Sequence, residues 1–548
     1  MRVLGINALY HDPAAALVVD GRIVAAAEEE RFSRRKHGKR PVPFSAWETP
    51  DQAATWCLQQ AGLRPDDIDA VAYSFDPDLW LPPTDLGLED PWDRLRHMYA
   101  KRAGEFLGAA LPGLATAKFH HVRHHVAHAA SAALAAPYDG SCAVLVLDGR
   151  GERHSHLAGM YTGASLETIF SQSLPESLGL IYEEATDHLG FLRSSDEYKV
   201  MALASYGAPR HVAAFRKYVH ATGDGGFRAS GVPWEEFAPR RAPDEDWTAA
   251  HADLAASLQH VTEEVLVDLA RWLQRTTGSR RLALAGGVAL NCVANSRIFR
   301  ESGFDELWVQ PAAGDAGTAL GGALTLAATE GDPVTPMESP ALGRGFTDHQ
   351  IEGVLRTARV PYSRPPDIAS EAAEALAADG VVAWFQGRSE YGPRALGHRS
   401  LLAHPGRAEN LNRLNDVKGR EQFRPVAPMV ILGRAADIFS GGPIPSPYML
   451  FVHDVDPAWR DRIPAVVHVD GTARIQTVDP EREPLVARML ADFEQRTGLP
   501  VVVNTSLNTA GRPMVDDVRD ALECFGSAPV DLLAIGPFAV RRADWRAR

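Results

Sequence analysis

The sequence predicts an α/β protein of two domains, the first of them internally duplicated. Three observations lead there. Apolar strand-like runs alternate with helical segments. An apolar strand ending in an Asp/Gly loop occurs in two successive halves. A length of 548 residues exceeds what one hydrophobic core supports, and a Pro- and Gly-rich stretch near residue 338 supplies a boundary.

The opening reads as three strands. Val3-Leu4-Gly5-Ile6-Asn7 runs into the polar break Tyr10-His11-Asp12. Residues 14–19 follow, Asp20-Gly21 marks a tight hairpin turn, and residues 22–27 return. Residues 49–60 read as a helix. The second half begins with the apolar run 142–147, which ends in Asp148-Gly149-Arg150-Gly151. A long amphipathic helix is predicted over 252–276. Strand 282–285 then ends in Gly286-Gly287, and Gly314-Asp315-Ala316-Gly317 opens another helix. Gly331-Asp332-Pro333, Pro336 and Pro340 form a linker signature, so the expected domains are 1–337 and 338–548. The second domain is arginine-rich and closes on an apolar strand, 500–503, before Asn504-Thr505-Ser506.

Hydrophobic and charged fractions of 45% and 23% are those of ordinary globular proteins. A net charge of −14 argues against a general nucleic-acid surface, though not against a local basic pocket. The four cysteines are scattered and form no CxxC pair, which suits a reducing compartment. No apolar stretch reaches the length of a membrane span. A cytoplasmic location is expected.

Three constellations carry chemistry. Residues 120–128 hold five of the twenty histidines, and His124 and His128 lie four apart, on one helix face. Two imidazoles with the carboxylates Asp148 and Asp315 would make a metal site with open positions. A bare helical histidine pair is more often solvated or capping; the two Asp/Gly loops favour the metal. His120, His121 and His125 belong around that site or on the surface. The second constellation is glycine-rich: Gly286, Gly287 and Asn291, then Gly314, would let backbone approach a nucleotide, where the bland reading is a close helix–strand contact. The third is cationic: Arg394, Lys418, Arg424 and Arg474, with Thr505 and Ser506, suggest an anion site. Any one of these arginines alone would be a surface ion pair as readily.

Across these residues the chain resembles the O-carbamoyltransferases of natural-product biosynthesis, the nodulation, cephalosporin and aminoglycoside carbamoyltransferases. The resemblance runs from Val3 to Phe538. It is carried by His11-Asp12, Glu28-Glu29-Glu30-Arg31-Phe32, Lys36-His37, the His124/His128 pair, Leu147-Asp148-Gly149 and Lys199-Val200-Met201. Further on it is carried by the loops at 286–291 and 314–317, and by the segments 392–400, 418–425 and 504–508. It implies a duplicated actin-like (ASKHA-type) first domain, binding metal and adenylate, and a twisted α/β second domain similar to threonylcarbamoyl-adenylate synthases. The second domain would make carbamoyl adenylate from carbamoyl phosphate and ATP; the first would pass the carbamoyl group to a hydroxyl.

The implied roles follow residue by residue. Arg394, Lys418 and Arg424 would hold carbamoyl phosphate. Arg474, Thr505 and Ser506 would bind ATP phosphates with Mg²⁺. His124, His128, Asp148 and Asp315 would hold Fe²⁺ or another divalent transition metal. His11 would be the general base for the acceptor hydroxyl, and Lys36 would contact phosphate. The expected partners are carbamoyl phosphate and a small-molecule hydroxyl acceptor such as a macrolide, polyketide or aminoglycoside antibiotic. A homodimer is compatible with this; nucleic acid and membrane are not expected. The competing readings are a tRNA threonylcarbamoyl-type transferase and a non-catalytic nucleotide-binding module.

Overall fold

A computed structural model describes residues 1–38, 49–90, 92–114 and 117–546. The chain divides into two compact units, 1–340 and 341–548.

In the first unit, β1 (Arg2–Asn7), β2 (Ala14–Val19), β3 (Arg22–Glu28), β4 (Ala70–Tyr73) and β5 (Lys118–His121) form a sheet of order β3-β2-β1-β4-β5. The β1–β2–β3 meander is antiparallel, whereas β4 and β5 run parallel to β1. Asp20 and Gly21 connect β2 to β3 with positive φ at both positions, as a tight hairpin turn requires. A second sheet has β6 (Cys142–Leu147) at its centre. The meander partners are β7 (His154–Thr162) and β8 (Ser165–Ser173). Past the small hairpin of β9 (Val219–Ala221) and β10 (Phe227–Ala229), the parallel partners β11 (Arg281–Ala285) and β12 (Glu306–Val309) complete the order β12-β11-β6-β7-β8. Strand directions repeat those of the first sheet. The same topology built twice is the duplicated actin-like arrangement expected of this half of the chain.

Between the sheets run the helices His124–Ala133 and Ala316–Thr329, packed on each other and, for the second, on β1 and β2. Glycines make that contact close. A Cβ on Gly5 would lie 1.8 Å from the Ala319 carbonyl oxygen, and one on Gly321 would lie 1.7 Å from that of Ala127. Much of the glycine run 314–322 therefore serves helix packing rather than a nucleotide loop. Gly321→Ala is expected to destabilise the chain by about 3 kcal/mol, as overpacking of a tight core does, measured as a fall in the chemical-denaturation midpoint. An unchanged midpoint would contradict the packing described.

The second unit is built on a seven-stranded mixed sheet of order β19-β15-β20-β14-β13-β21-β22. Its strands are β13 (Val382–Phe385), β14 (Arg399–Ala403), β15 (Ala427–Ile431), β19 (Gln476–Val478), β20 (Val501–Ser506), β21 (Leu532–Ile535) and β22 (Phe538–Arg541). Three short strands, β16 (Phe439–Ser440), β17 (His453–Val455) and β18 (Thr472–Ala473), make a side sheet. One continuous core of Trp384, Phe385, Phe493, Phe525 and many branched aliphatics fills this unit.

Candidate metal centre and cationic pocket

Four ligand-type side chains converge where strands of both halves of the first unit end. His124 and His128 start the helix that follows β5, one turn apart; Asp148 follows β6, and Asp315 precedes the helix Ala316–Thr329. All four are buried. The placement fits α/β sheets, whose ligands gather at the carboxyl ends of parallel strands.

The spacing favours a shared cation over hydrogen bonding. His124 Nε2 lies 3.4 Å from Asp148 Oδ2 and 3.6 Å from Asp315 Oδ1. His128 Nε2 lies 3.9 and 3.5 Å from the same two oxygens. Charge-assisted hydrogen bonds are about 2.7–2.9 Å. Donors on a tetrahedral ion at about 2.1 Å stand about 3.4 Å apart. Moreover, neither ring nitrogen of His128 has a hydrogen-bond partner among the described residues. A buried polar atom left that way is costly unless something else satisfies it. The residues therefore fit a divalent metal.

Surrounding groups aim these ligands. The Ser74 carbonyl accepts from His124 Nδ1 at 3.2 Å, which leaves Nε2 with its lone pair. Gly287 N donates to Asp148 Oδ1 at 2.8 Å. Glu152 Oε1 accepts from His124 N at 2.7 Å and Asp76 N at 2.9 Å, so a carboxylate from another loop caps the histidine helix. His125 sits beside the cluster, its ring 5.5 Å from that of His124. Burial, with His124 alongside, holds it well below its ordinary pKa. His120 and His121 lie in β5.

Burial opposes charge on His124, yet Asp315 and Asp148 lift it well above its ordinary value in the metal-free chain. Both carboxyls are lowered against the same burial: Asp148 by the His124 contact, Asp315 by His124 despite the charge on Asp148. A cation must displace the His124 proton, because only neutral imidazole ligates. Metal uptake is expected to release a proton and to tighten as pH rises from about 6 to about 8, measured by equilibrium dialysis. An affinity flat across that range would contradict it.

Other expected residues fall around this centre with altered parts. Gly286 has φ +92°, and a Cβ there would lie 2.1 Å from the Leu147 carbonyl oxygen, so it lets β11 close against β6. Gly287 supplies the amide that holds Asp148. Asn291, expected on a nucleotide, instead caps its own helix: Oδ1 accepts from Ala294 N at 3.1 Å, and Nδ2 donates to Gln259 at 2.9 Å. Gly314 lies beside Asp12, whose Oδ2 would be 4.0 Å from a Cβ there. Lys36 Nζ sits 5.9 Å from the Tyr198 ring centroid.

His11 does not suit a base. Its Nε2 is 2.6 Å from the Ser194 carbonyl oxygen, which can only accept, so that nitrogen carries a proton. Nδ1 lies 2.7 Å from Asp12 Oδ2. Both nitrogens thus face acceptors and neither offers a lone pair. His37, legible in the sequence only as part of the Lys36-His37 motif and given no role there, has its Nδ1 at 2.7 Å from Asp12 Oδ1.

In the second unit Lys418 reaches the end of β20. Lys418 is buried; Nζ donates to the Ser506 carbonyl at 2.5 Å, to Ser506 Oγ at 2.9 Å and to Asn508 Oδ1. Asn504 Nδ2 bonds the Ala395 carbonyl at 3.0 Å and Gln476 Oε1 at 2.7 Å, and Gln476 bonds the Leu396 carbonyl at 2.7 Å. Those bonds tie the loop of Arg394 and the strand beside Arg474 to β20, next to Thr505 and Ser506. Arg424 is half-buried, 3.5 Å from Glu421. The Nε of Arg474 is buried with no hydrogen-bond partner among the described residues. By contrast, Arg399 is wholly buried scaffold: it donates to the carbonyls of Gln386 at 2.9 Å and Arg344 at 2.8 Å, and stacks on Phe385.

Comparison with known proteins adds sequence likeness along the chain. A family model described as the carbamoyltransferase N-terminus matches residues 2–79 and 99–324, and one described as the carbamoyltransferase C-terminus matches 373–542. The uncharacterized protein sll1178 of Synechocystis is 37% identical, covering 98% of this chain and 96% of the relative. Nodulation protein NolNO of Sinorhizobium fredii is 36% identical, over 98% of this chain and 81% of its own. Nodulation protein U of the same species is 34% identical, over 95% and 96%.

Proposed function

The chain belongs to the carbamoyltransferase family, and from that premise we propose that it is an ATP-dependent O-carbamoyltransferase working in two steps. The reading rests on one observation: each unit carries its own chemistry, a buried His/Asp cluster in the first and a buried lysine at the end of β20 in the second.

In the second unit, Arg394, Lys418 and Arg424 hold carbamoyl phosphate and neutralise the charge that grows as phosphate leaves. Arg474, Thr505 and Ser506 bind ATP phosphates alongside Mg²⁺. Water cleaves carbamoyl phosphate to carbamate and phosphate; a carbamate oxygen then attacks the α-phosphorus of ATP, pyrophosphate leaves, and the product is carbamoyl adenylate. In the first unit, a hydroxyl of a small natural product, such as an aminoglycoside or macrolide antibiotic, attacks the carbamoyl carbon and AMP leaves. The cluster His124, His128, Asp148 and Asp315 holds a divalent transition metal, Fe²⁺ by family resemblance; such an ion supplies Lewis-acid polarisation of a carbonyl. Ser74, Gly287 and Glu152 keep the ligand side chains in place. Lys36 adds a cation for the phosphate.

The test is incubation of the purified chain with carbamoyl phosphate, ATP, Mg²⁺ and concentrated glycerol as the hydroxyl acceptor. Pyrophosphate and AMP should form, both dependent on carbamoyl phosphate. Formation of ADP instead, or no nucleotide turnover, would sink the reading.

A further inference from the structure

His11, Asp12 and His37 form a second cluster of ionisable groups in the first unit. It is carried on two strained segments. Tyr10 and Asp12, in the turn after β1, have φ of 62° and 45°, and His37 has φ of 58°. Left-handed backbone at non-glycine residues costs about 1–3 kcal/mol each and gathers at functional sites. Asn7 braces the turn: its Nδ2 donates to the carbonyls of His11 at 2.7 Å and Asp12 at 3.0 Å. Glu30 Oε2 holds His37 N at 2.9 Å.

The hydrogen bonds fix proton positions. The Asp12 carboxylate can only accept, so His37 Nδ1 donates across 2.7 Å. The other nitrogen, Nε2, is then the one with the lone pair. It is buried and has no hydrogen-bond partner among the described residues. This is an Asp–His dyad with a free acceptor nitrogen, the arrangement that makes an imidazole a general base. His11 has no such nitrogen; its ring lies 4.5 Å from that of His37, and its contact to the far oxygen of Asp12 helps orient the carboxylate.

A metal is a poorer account of this trio. Both Asp12–His contacts are 2.7 Å, hydrogen-bond length, against about 3.4 Å between donors on a tetrahedral ion. Location supports a role in transfer. Asp12 packs at Gly314, the residue before Asp315, and the ring of Tyr10 lies 6.1 Å from that of His124. The dyad therefore lies at the edge of the candidate metal centre.

We propose that His37, oriented by Asp12, is the general base of carbamoyl transfer. The inference rests on the two-step reading given above. As the acceptor oxygen bonds to the carbamoyl carbon, the hydroxyl proton passes to His37 Nε2. The bond from that carbon to the adenylate oxygen breaks, and AMP leaves with its electron pair. The proton then returns to solvent. The groups facing His37 are Asp12, His11 and Glu30. Burial lowers its pKa, with Asp12 opposing, so the base stays unprotonated at neutral pH.

The experiment follows pyrophosphate and AMP separately in the full chain, with concentrated glycerol as the hydroxyl probe and water as the competing acceptor. His37→Asn keeps an N–H for Asp12 but removes the base. AMP release should fall about a hundredfold or more, while pyrophosphate release persists on the first turnover. His37→Gly should regain AMP release on addition of imidazole; His11→Gly should not. In the wild type, AMP release should fall as the solution is acidified beneath the ordinary histidine range and the base takes a proton. Unchanged AMP release in a folded His37→Asn chain, imidazole rescue of His11→Gly alone, or a wild-type rate flat on acidification would overturn the assignment. Absence of pyrophosphate from the wild type would overturn the two-step reading and this inference with it.

Discussion

Lys418→Ala is expected to cut pyrophosphate release from ATP and carbamoyl phosphate by about a hundred- to a thousandfold, the cost of removing one preorganised charge from a water-poor site. The reason lies in the company Lys418 keeps. Its ammonium is buried, yet the partners at the end of β20, the Ser506 carbonyl, Ser506 Oγ and Asn508 Oδ1, are all neutral oxygens. They position the charge. A buried cation is expensive to keep; one held this way is useful when an anion arrives. Lys418→Met controls for packing, since it fills the same volume without the charge. The measurement is carbamoyl-phosphate-dependent pyrophosphate release, with circular dichroism to show that the variant is folded. Full activity in Lys418→Met would remove the lysine from the site.

His128→Ala is expected to act on the other step. Bound metal per chain should drop to near zero by elemental analysis. Carbamoyl transfer should fall by about a thousandfold, roughly 4 kcal/mol, in line with the several kcal/mol a Lewis acid contributes. First-turnover pyrophosphate release should survive, because the cationic pocket lies in the other unit. The neighbouring variant His125→Ala sharpens the test. His125 is equally part of the histidine run but lies outside the four-residue cluster. It should lose stability through its cavity and still keep metal. Loss of metal in both variants alike would point to collapse of the helix rather than loss of a ligand.

Much of the candidate metal cluster was legible because its signals are local. His124 and His128 declare themselves by helical spacing, and Asp148 by its place after an apolar strand. Asp315 needed the glycine loop as a clue. The glycines themselves misled. A run such as 314–322 reads the same whether backbone must approach a nucleotide or another helix, and only the packing of Gly321 on Ala127 tells them apart. Asn291 is ambiguous in the same way: a helix cap and a ribose ligand ask for the same short amide. The sequence offers Lys36-His37 as a motif but not the contact to Asp12, since that partner is 25 residues away and is set by left-handed backbone that has no period to read. Because both lie in the first unit, the proposed assignment of the base to His37 rather than His11 leaves the two-step proposal intact.

The fold divides in the same way. The strands of the first unit are apolar runs with turn residues at their ends, and β1, β2, β3, β6 and β11 fell within a residue of expectation. The second sheet is harder to read. β13 pairs with β21 and β14 with β20, across more than a hundred residues of chain, and several strands span only two to four residues. Such strands are too short for alternation to emerge. Their pairing is decided by a shared core, which no local window contains.

The central claim is that carbamoyl adenylate forms on this chain. It is tested most directly by acid-quenching the full chain with ¹³C-labelled carbamoyl phosphate, ATP and Mg²⁺, without acceptor, and examining the nucleotides by mass spectrometry. The account predicts adenylate carrying the labelled carbamoyl group, with pyrophosphate formed alongside it. Label found only in carbamoyl phosphate or in its hydrolysis product, with no labelled adenylate and no pyrophosphate, would contradict it.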